Sequence, residues 1–306
     1  MSSAPSRRLH LAVQRSRPKL VSANGVDLCV QTFGERGAPP ILLIAGAESS
    51  MDWWEDEFCE LLASGPRFVI RYDLRDTGQS VSYEPGAPGY DGSDLLADAV
   101  GLLDALGIDR AHVVGISMGG GIGQELALEH TDRVATLTLI STSPVGPRGL
   151  DKPALPPMSE ELASRFAEPA PEPDWSDREA VIDYIVEGLR GFAGSLPFDE
   201  EGQRALVERV VDRTINIESS MRNHWIMESG EPVRGRLSEL SVPTLVVHGT
   251  EDPVFPYGHA EALAEEIPGA GLLPLEGGGH EMPARPFWNR VVAAILDHTA
   301  ERGTER

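Results

Sequence analysis

The chain of 306 residues carries 48 acidic and 26 basic side chains, giving a formal net charge of −22, with 41% hydrophobic residues. That is enough apolar material for a sizeable core, and a body this negative is repelled by nucleic acid and by anionic membrane. No apolar run is long enough to span a bilayer, and Cys29 and Cys59 lack metal-ligand spacing and read as core residues in a reducing compartment.

Residues 1–19 hold Arg7, Arg8, Arg15, Arg17 and Lys19, no acid, and no apolar segment of the secretory kind. They are expected to form a flexible arm on a cytoplasmic protein. Leu20–Ala23 and Val26–Phe33 are strand-like and flank Asn24-Gly25, a strong hairpin signal. Pro39 and Pro40 introduce Ile41–Ile44, an apolar buried strand that ends at Ala45-Gly46-Ala47. A helix over Glu55–Ala63, a strand over Arg67–Tyr72, a polar loop at 73–80 and a helix over Asp94–Leu106 follow. The loop residues Asp73, Arg75 and Asp76 read as a structural ion-pair and turn network. Ala111–Val114 is the next strand, Met118–His130 the next helix, and Val134–Ile140 a further strand.

This alternation predicts a mostly parallel sheet covered by helices on both faces, an α/β architecture. It breaks at residue 144. Eight prolines between Pro144 and Pro173 forbid a continuous helix or a central strand there, and Asp177–Ala193 and Glu200–Met227 are helical. Alternation resumes with strand Thr244–His248, helix Tyr257–Ile267, strand Gly271–Leu275 and helix Pro286–Ala300. The core is therefore expected at 20–143 and 237–306, with a helical cap at 144–236 lying over one end of the sheet.

Gly115-Ile116-Ser117-Met118-Gly119 fits G-x-S-x-G, in which a tight turn from strand to helix lifts one serine clear of the sheet. A serine hydroxyl is a poor nucleophile and needs a base, itself oriented by a third group. The resumed α/β section supplies both. Strand 244–248 runs into a loop bearing Glu251 and Asp252, and strand 271–275 runs into Glu276-Gly277-Gly278-Gly279-His280. Both loops leave carboxyl ends of strands, the edge where open α/β sheets place their sites.

At these residues the chain resembles the α/β-hydrolase family, over about residues 20–143 and 237–300, with Ser, Asp and His in that family's order. The resemblance implies Ser117 as nucleophile, His280 as general base and then acid, and Asp252 as orienting carboxylate, with Glu251 as the rival acid. It also implies an oxyanion hole made by the backbone N–H groups of Met118 and Ala47. Many family members carry His-Gly where this chain has Ala45-Gly46. That substitution, together with Arg71–Ser80 and Asp109–Gly115, is similar to the anthracycline methyl esterases of the aclacinomycin type, which remove a methyl ester from a bulky polycyclic substrate.

Within the cap, Met221, His224 and Trp225, with Trp53, Trp54, Trp175 and Phe198, either pack a core of their own or line an apolar substrate pocket. Lysine occurs only at Lys19 and Lys152, which excludes a P-loop, and the glycines at 119–121 and 123 do not spell a dinucleotide fingerprint. With no paired-histidine motif either, neither a metal nor a cofactor is expected. The resulting expectation is a serine-dependent hydrolase acting on a small hydrophobic ester or lactone through an acyl-enzyme. Alternatives are cofactor-free C–C hydrolysis or perhydrolysis by the same triad, or a ligand-binding member of the fold. No nucleic-acid or membrane partner is expected, and homo-oligomer formation is left open.

Overall fold

Short runs of β-branched and aliphatic residues become the eight strands of one sheet in the computed structural model, which describes residues 13–146 and 152–300. The strands are β1 (Lys19–Ala23), β2 (Val26–Phe33), β3 (Pro40–Ile44), β4 (Phe68–Tyr72), β5 (Ala111–Ile116), β6 (Val134–Ile140), β7 (Thr244–Gly249) and β8 (Gly271–Leu275). Their order across the sheet is β1-β2-β4-β3-β5-β6-β7-β8. The first two strands are antiparallel to their neighbours, and every pairing from β4 to β8 is parallel. The β1–β2 hairpin turns at Asn24 and Gly25, both at positive φ (49° and 76°), the backbone that a two-residue hairpin of this twist requires.

Successive residues of a strand face opposite sides of the sheet, and the core divides accordingly. Leu42, Ile44 and Val113 pack with α2 (Gly92–Leu106), α3 (Met118–Glu129) and α8 (Gly258–Glu266) through Leu95, Leu102, Leu126 and Leu263. Ile41, Leu43 and Val114 face α1 (Asp56–Ser64) and α9 (Trp288–His298) through Phe58, Leu62, Val291 and Ile295. Asp91 caps α2 in a reciprocal arrangement with Asp94, and Gly107 ends it in the left-handed conformation.

Among the described residues, four α-helices run between β6 and β7: α4 (Glu160–Ala167), α5 (Arg178–Arg190), α6 (Glu200–Arg213) and α7 (Ile217–Ile226). Helices α5 and α6 share an apolar cluster built on Val181, Ile182, Ile185, Val186 and Val207. The single helix expected over 200–227 is two. Thr214 leaves the helix in an extended conformation, the Ile215 N–H is drawn to the Gly78 carbonyl at 2.8 Å, and Asn216 starts α7 by accepting the Ser219 N–H at 3.1 Å. The proline-rich stretch contains α4, short enough to fit between Pro157 and Pro169 and capped by Ser159.

The insert is tied to the core by charge. The guanidinium of Arg213 makes two 2.6 Å hydrogen bonds to the inaccessible Asp73 carboxylate and reaches Asp52 at 2.5 Å. Asn223 donates to Asp76 at 2.9 Å and accepts the Gly86 N–H at 2.8 Å. Within the core, Arg75 forms a bidentate pair with Asp98 at 2.7 and 2.8 Å. Asp73, Arg75 and Asp76 are thus a structural network.

The flexible arm expected over residues 1–19 needs correction. Residues 1–12 lie outside the described residues. From Val13 onward the chain is laid against β2, where Ser16 donates its N–H to Thr32 at 2.9 Å, Gly34 donates to Gln14 at 2.8 Å, and Arg15 pairs with Asp56 at 2.6 Å. Strand β1 covers β2 only from Val26 to Val30, and this segment pairs with the end of β2 that β1 leaves open. Among the described residues, no helix is long and apolar enough to cross a membrane.

Candidate active site

Ser117 sits between β5 and α3 with φ 50° and ψ −119°, a conformation costing a non-glycine residue of the order of 1–3 kcal/mol. Full burial of Val113 and Val114 on the same strand stabilises by roughly 1.5–3 kcal/mol each, so the strand has enough to hold the strained turn. Glycine at 115 and 119 is a matter of space. A Cβ on Gly115 would lie 2.1 Å from the Gly119 carbonyl oxygen, and one on Gly119 would lie 2.4 Å from that of Ile44.

The loops after β7 and β8 deliver the partners. His280 Nε2 lies 3.0 Å from Ser117 Oγ, and His280 Nδ1 lies 2.8 Å from Asp252 Oδ2. An ionised carboxylate only accepts, so Nδ1 carries the ring proton and leaves Nε2 free to accept from the serine hydroxyl. The other carboxylate oxygen, Oδ1, accepts the N–H groups of Val254 and Phe255 at 2.9 and 2.8 Å. Burial alone would raise the Asp252 carboxyl, but hydrogen bonds from the His248 and His280 imidazoles outweigh it and hold the group well below the usual carboxylate range. The backbone N–H of His280 is itself fixed by the Phe192 carbonyl at 2.7 Å. Glu251, the rival acid, is exposed and accepts from Ser195 Oγ at 2.9 Å.

The loop after β3 closes over the serine. A Cβ built on Gly46 would lie 3.4 Å from Ser117 Cβ and 3.9 Å from its Oγ, so Gly46 packs close to the serine side chain. Met118 is the first residue of α3, where N–H groups have no acceptor within the helix. Ala47, Ser117, Met118 and His280 share the wall of one cavity of about 1510 Å³. Hydroxyl, oriented imidazole and buried carboxylate form an arrangement suited to nucleophilic acyl transfer.

Of the side chains expected to meet substrate, Trp53, Trp54, Met221, His224 and Trp225 line this cavity. Trp175 does not. It packs against Tyr184 with ring centroids 5.9 Å apart and under the Arg222 guanidinium, in the cluster of the insert's own helices. An aromatic residue in a helical insert satisfies the same sequence pattern whether it turns toward a pocket or a neighbouring helix.

Three groups at the site escaped sequence reasoning. His248, wholly buried on β7, brings Nε2 to 2.8 Å from the Phe255 carbonyl and 3.3 Å from Asp252 Oδ2. Its only sequence signal is its place at the end of a strand, four residues before the acid. Glu48 and Glu281 line the cavity, and burial pushes the Glu48 carboxyl up to about 7, against the pull of the Trp225 indole N–H bonded to it. Burial likewise raises the Glu281 carboxyl. In sequence, both resemble ordinary solvated acids.

Comparison with known proteins agrees with this geometry. Residues 41–294 match the model of the alpha/beta hydrolase family. The rhodomycin D methylesterase DauP of Streptomyces sp. (strain C5) is 32% identical over 295 residues, covering 92% of this chain and 97% of its own length. The rhodomycin D methylesterase DnrP of Streptomyces peucetius is 32% identical over 299 residues, with coverage of 92% and 97%. The enol-lactonase of Burkholderia xenovorans LB400 shares the fold, with a TM-score of 0.70 at 24% identity over 92% of this chain and 99% of its own. A mostly parallel sheet that presents Ser117, Asp252 and His280 at one edge, together with these likenesses, establishes that the chain belongs to the alpha/beta hydrolase family.

Proposed function

We propose that the protein hydrolyses a carboxylic ester or lactone of a bulky, apolar acid through a covalent acyl-enzyme. The observation that carries this reading is the hydrogen-bonded relay from Ser117 Oγ through His280 to Asp252, at 3.0 and 2.8 Å, opening into a cavity of about 1510 Å³.

In this mechanism Ser117 Oγ attacks the ester carbonyl while its proton passes to His280 Nε2. The carbonyl oxygen gains a negative charge between the N–H groups of Ala47 and Met118. Such preorganised donors contribute roughly 2.7–4 kcal/mol each to related reactions. Asp252 stabilises the imidazolium that forms and keeps the ring in the correct tautomer. The C–O bond breaks, the leaving alkoxide takes the proton from His280, and an alcohol departs. A water molecule then gives its proton to His280, attacks the acyl carbonyl and releases the acid, restoring Ser117.

Residues 144–236 serve in this reading as a cap over the sheet edge, with Met221, His224 and Trp225 facing the acyl group. The names of the two rhodomycin D methylesterases support a methyl ester on a large ring system as the first substrate class to test. With a p-nitrophenyl or methyl ester of a polycyclic acid, the native chain is expected to release one equivalent of alcohol in a burst before steady turnover. Ser117→Ala should abolish both phases. Turnover that survives in Ser117→Ala would overturn the proposal.

A further inference from the structure

The oxyanion loop carries a second unusual residue. Glu48 has φ 62°, a left-handed conformation that a side chain bearing a Cβ holds only when its surroundings over-determine it. The surroundings come from one helix of the insert. The Glu48 N–H donates to His224 Nδ1 at 3.0 Å, its carbonyl accepts from Ser220 Oγ at 3.2 Å, and its carboxylate accepts the Trp225 indole N–H. Ser220 and His224 stand four residues apart, hence on one face of α7.

The tautomer of His224 agrees with this assignment. Its Nε2 lies 2.9 Å from the Arg75 carbonyl, which can only accept, so Nε2 bears the proton and Nδ1 presents a lone pair. Burial pushes the His224 imidazole down to about 4, which keeps that lone pair free near neutral pH.

We propose that helix α7 is the positioning element of the oxyanion hole. His224 fixes the Glu48 N–H and so the peptide that follows Ala47. The Ala47 N–H lies one peptide earlier, and holding Ala47 from its carbonyl side limits how far that N–H can turn from the reacting carbonyl. The chain has alanine at 45, so the loop has no imidazole of its own before Gly46, and the insert supplies one at the Glu48 N–H. His224 is then a positioning residue, acting through Ala47, as well as part of the cavity wall. The inference rests on the acyl-transfer reading above.

Two substitutions separate the ring nitrogens. His224→Asn places an amide oxygen near the Nδ1 position, where it can still accept the Glu48 N–H. His224→Gln reaches the Nε2 position, keeps the bond to the Arg75 carbonyl and leaves the Glu48 N–H without its acceptor. With a p-nitrophenyl ester, the glutamine variant should lose about 10–100-fold in kcat, short of or equal to the loss of one whole oxyanion donor, with KM within about threefold. The inhibition constant of a trifluoromethyl ketone, which forms a tetrahedral adduct on the serine, should rise by the same factor as kcat/KM falls. The asparagine variant, which keeps an acceptor for the Glu48 N–H, should lose clearly less than the glutamine variant on both measures. Ser220→Ala, which releases only the Glu48 carbonyl, provides a milder variant if the glutamine chain does not fold, and should lower kcat a few-fold at constant KM. Equal losses in the asparagine and glutamine variants, or unchanged kcat in glutamine and Ser220→Ala, would overturn the assignment while Ser117→Ala remains inactive. Activity in Ser117→Ala would instead mark failure of the acyl-transfer reading.

Discussion

The sheet edge and the helical insert meet at the same cavity but are held by different forces. At the edge, backbone geometry dominates: a positive φ at Ser117, glycines packed against carbonyls at 115 and 119, and N–H groups of 254 and 255 on Asp252. The insert is fastened by charged and polar side chains, with Arg213 on Asp73 and Asp52, Asn223 on Asp76 and His224 on Arg75. These add to scattered backbone bonds such as Ile215 N–H to Gly78 and His280 N–H to Phe192. Backbone constraints tie a reacting group to the sheet with little freedom. Side-chain links allow the insert's surface to vary in sequence as long as the anchors remain. Damage at the edge should therefore appear as lost chemistry, and damage at the anchors as lost stability.

The sharpest form of that contrast is Asp252→Asn, which keeps the shape of the side chain but favours the wrong His280 tautomer. The loss in kcat should be about 10⁴-fold, read by steady-state kinetics, with a thermal midpoint moved far less than an anchor mutation moves it. Arg213→Ala reverses the pattern. It leaves the inaccessible Asp73 carboxylate without its cation, and breaking a buried pair from one side costs about 3–5 kcal/mol. Urea unfolding should show that loss, while the variant measured well below its midpoint should keep kcat within about tenfold. If Arg213→Ala destroyed activity without loss of stability, the contrast between the two regions would fail.

A smaller effect comes from pH. The Glu48 carboxyl, raised from 4.5 to about 7 by burial, keeps its proton in the folded chain over a range where the unfolded chain has released it. The folded state then binds more protons, so stability falls as pH rises from about 4.5 through about 7. Glu125 is raised to about 7 for the same reason and adds to the trend. Asp252 acts in the opposite sense: its lowered carboxyl favours the fold above the ordinary carboxylate range and loses that contribution only in strong acid. His112 and His224, both pushed down to about 4 by burial, act against this trend below about pH 6.5. Calorimetry at pH 6.5 and 8, where the raised carboxyls dominate, should therefore show a lower midpoint at the higher pH. Glu48→Gln should narrow the gap by a few degrees, since 1 kcal/mol moves Tm by roughly 2–4 °C in domains approaching this size. An unchanged gap would show that Glu48 does not carry the effect.

The same division governs what could be read from the residues alone. The strand-turn-helix around Ser117 and the loops bearing Asp252 and His280 are local patterns, because each depends on glycines and β-branched runs adjacent in the chain. The two-faced core follows from strand alternation and is equally local. The insert was legible as helical but not in its break at Thr214–Asn216, which is set by a hydrogen bond to Gly78, far away in sequence. Trp175 and Trp225 look alike as aromatic residues of a helical segment, and only tertiary packing sends one to Tyr184 and the other to Glu48. His248 and Glu48 matter through partners that no spacing rule connects to them.

The central claim is that Ser117 is the nucleophile, and the most direct test is covalent. Intact-mass analysis after treatment with a fluorophosphonate, followed by peptide mapping, should show one adduct, located on Ser117. The adduct should be absent from Ser117→Ala and slow to form in Asp252→Asn. A native chain that hydrolyses esters yet stays unlabelled at Ser117, or carries its adduct on another residue, would contradict the account.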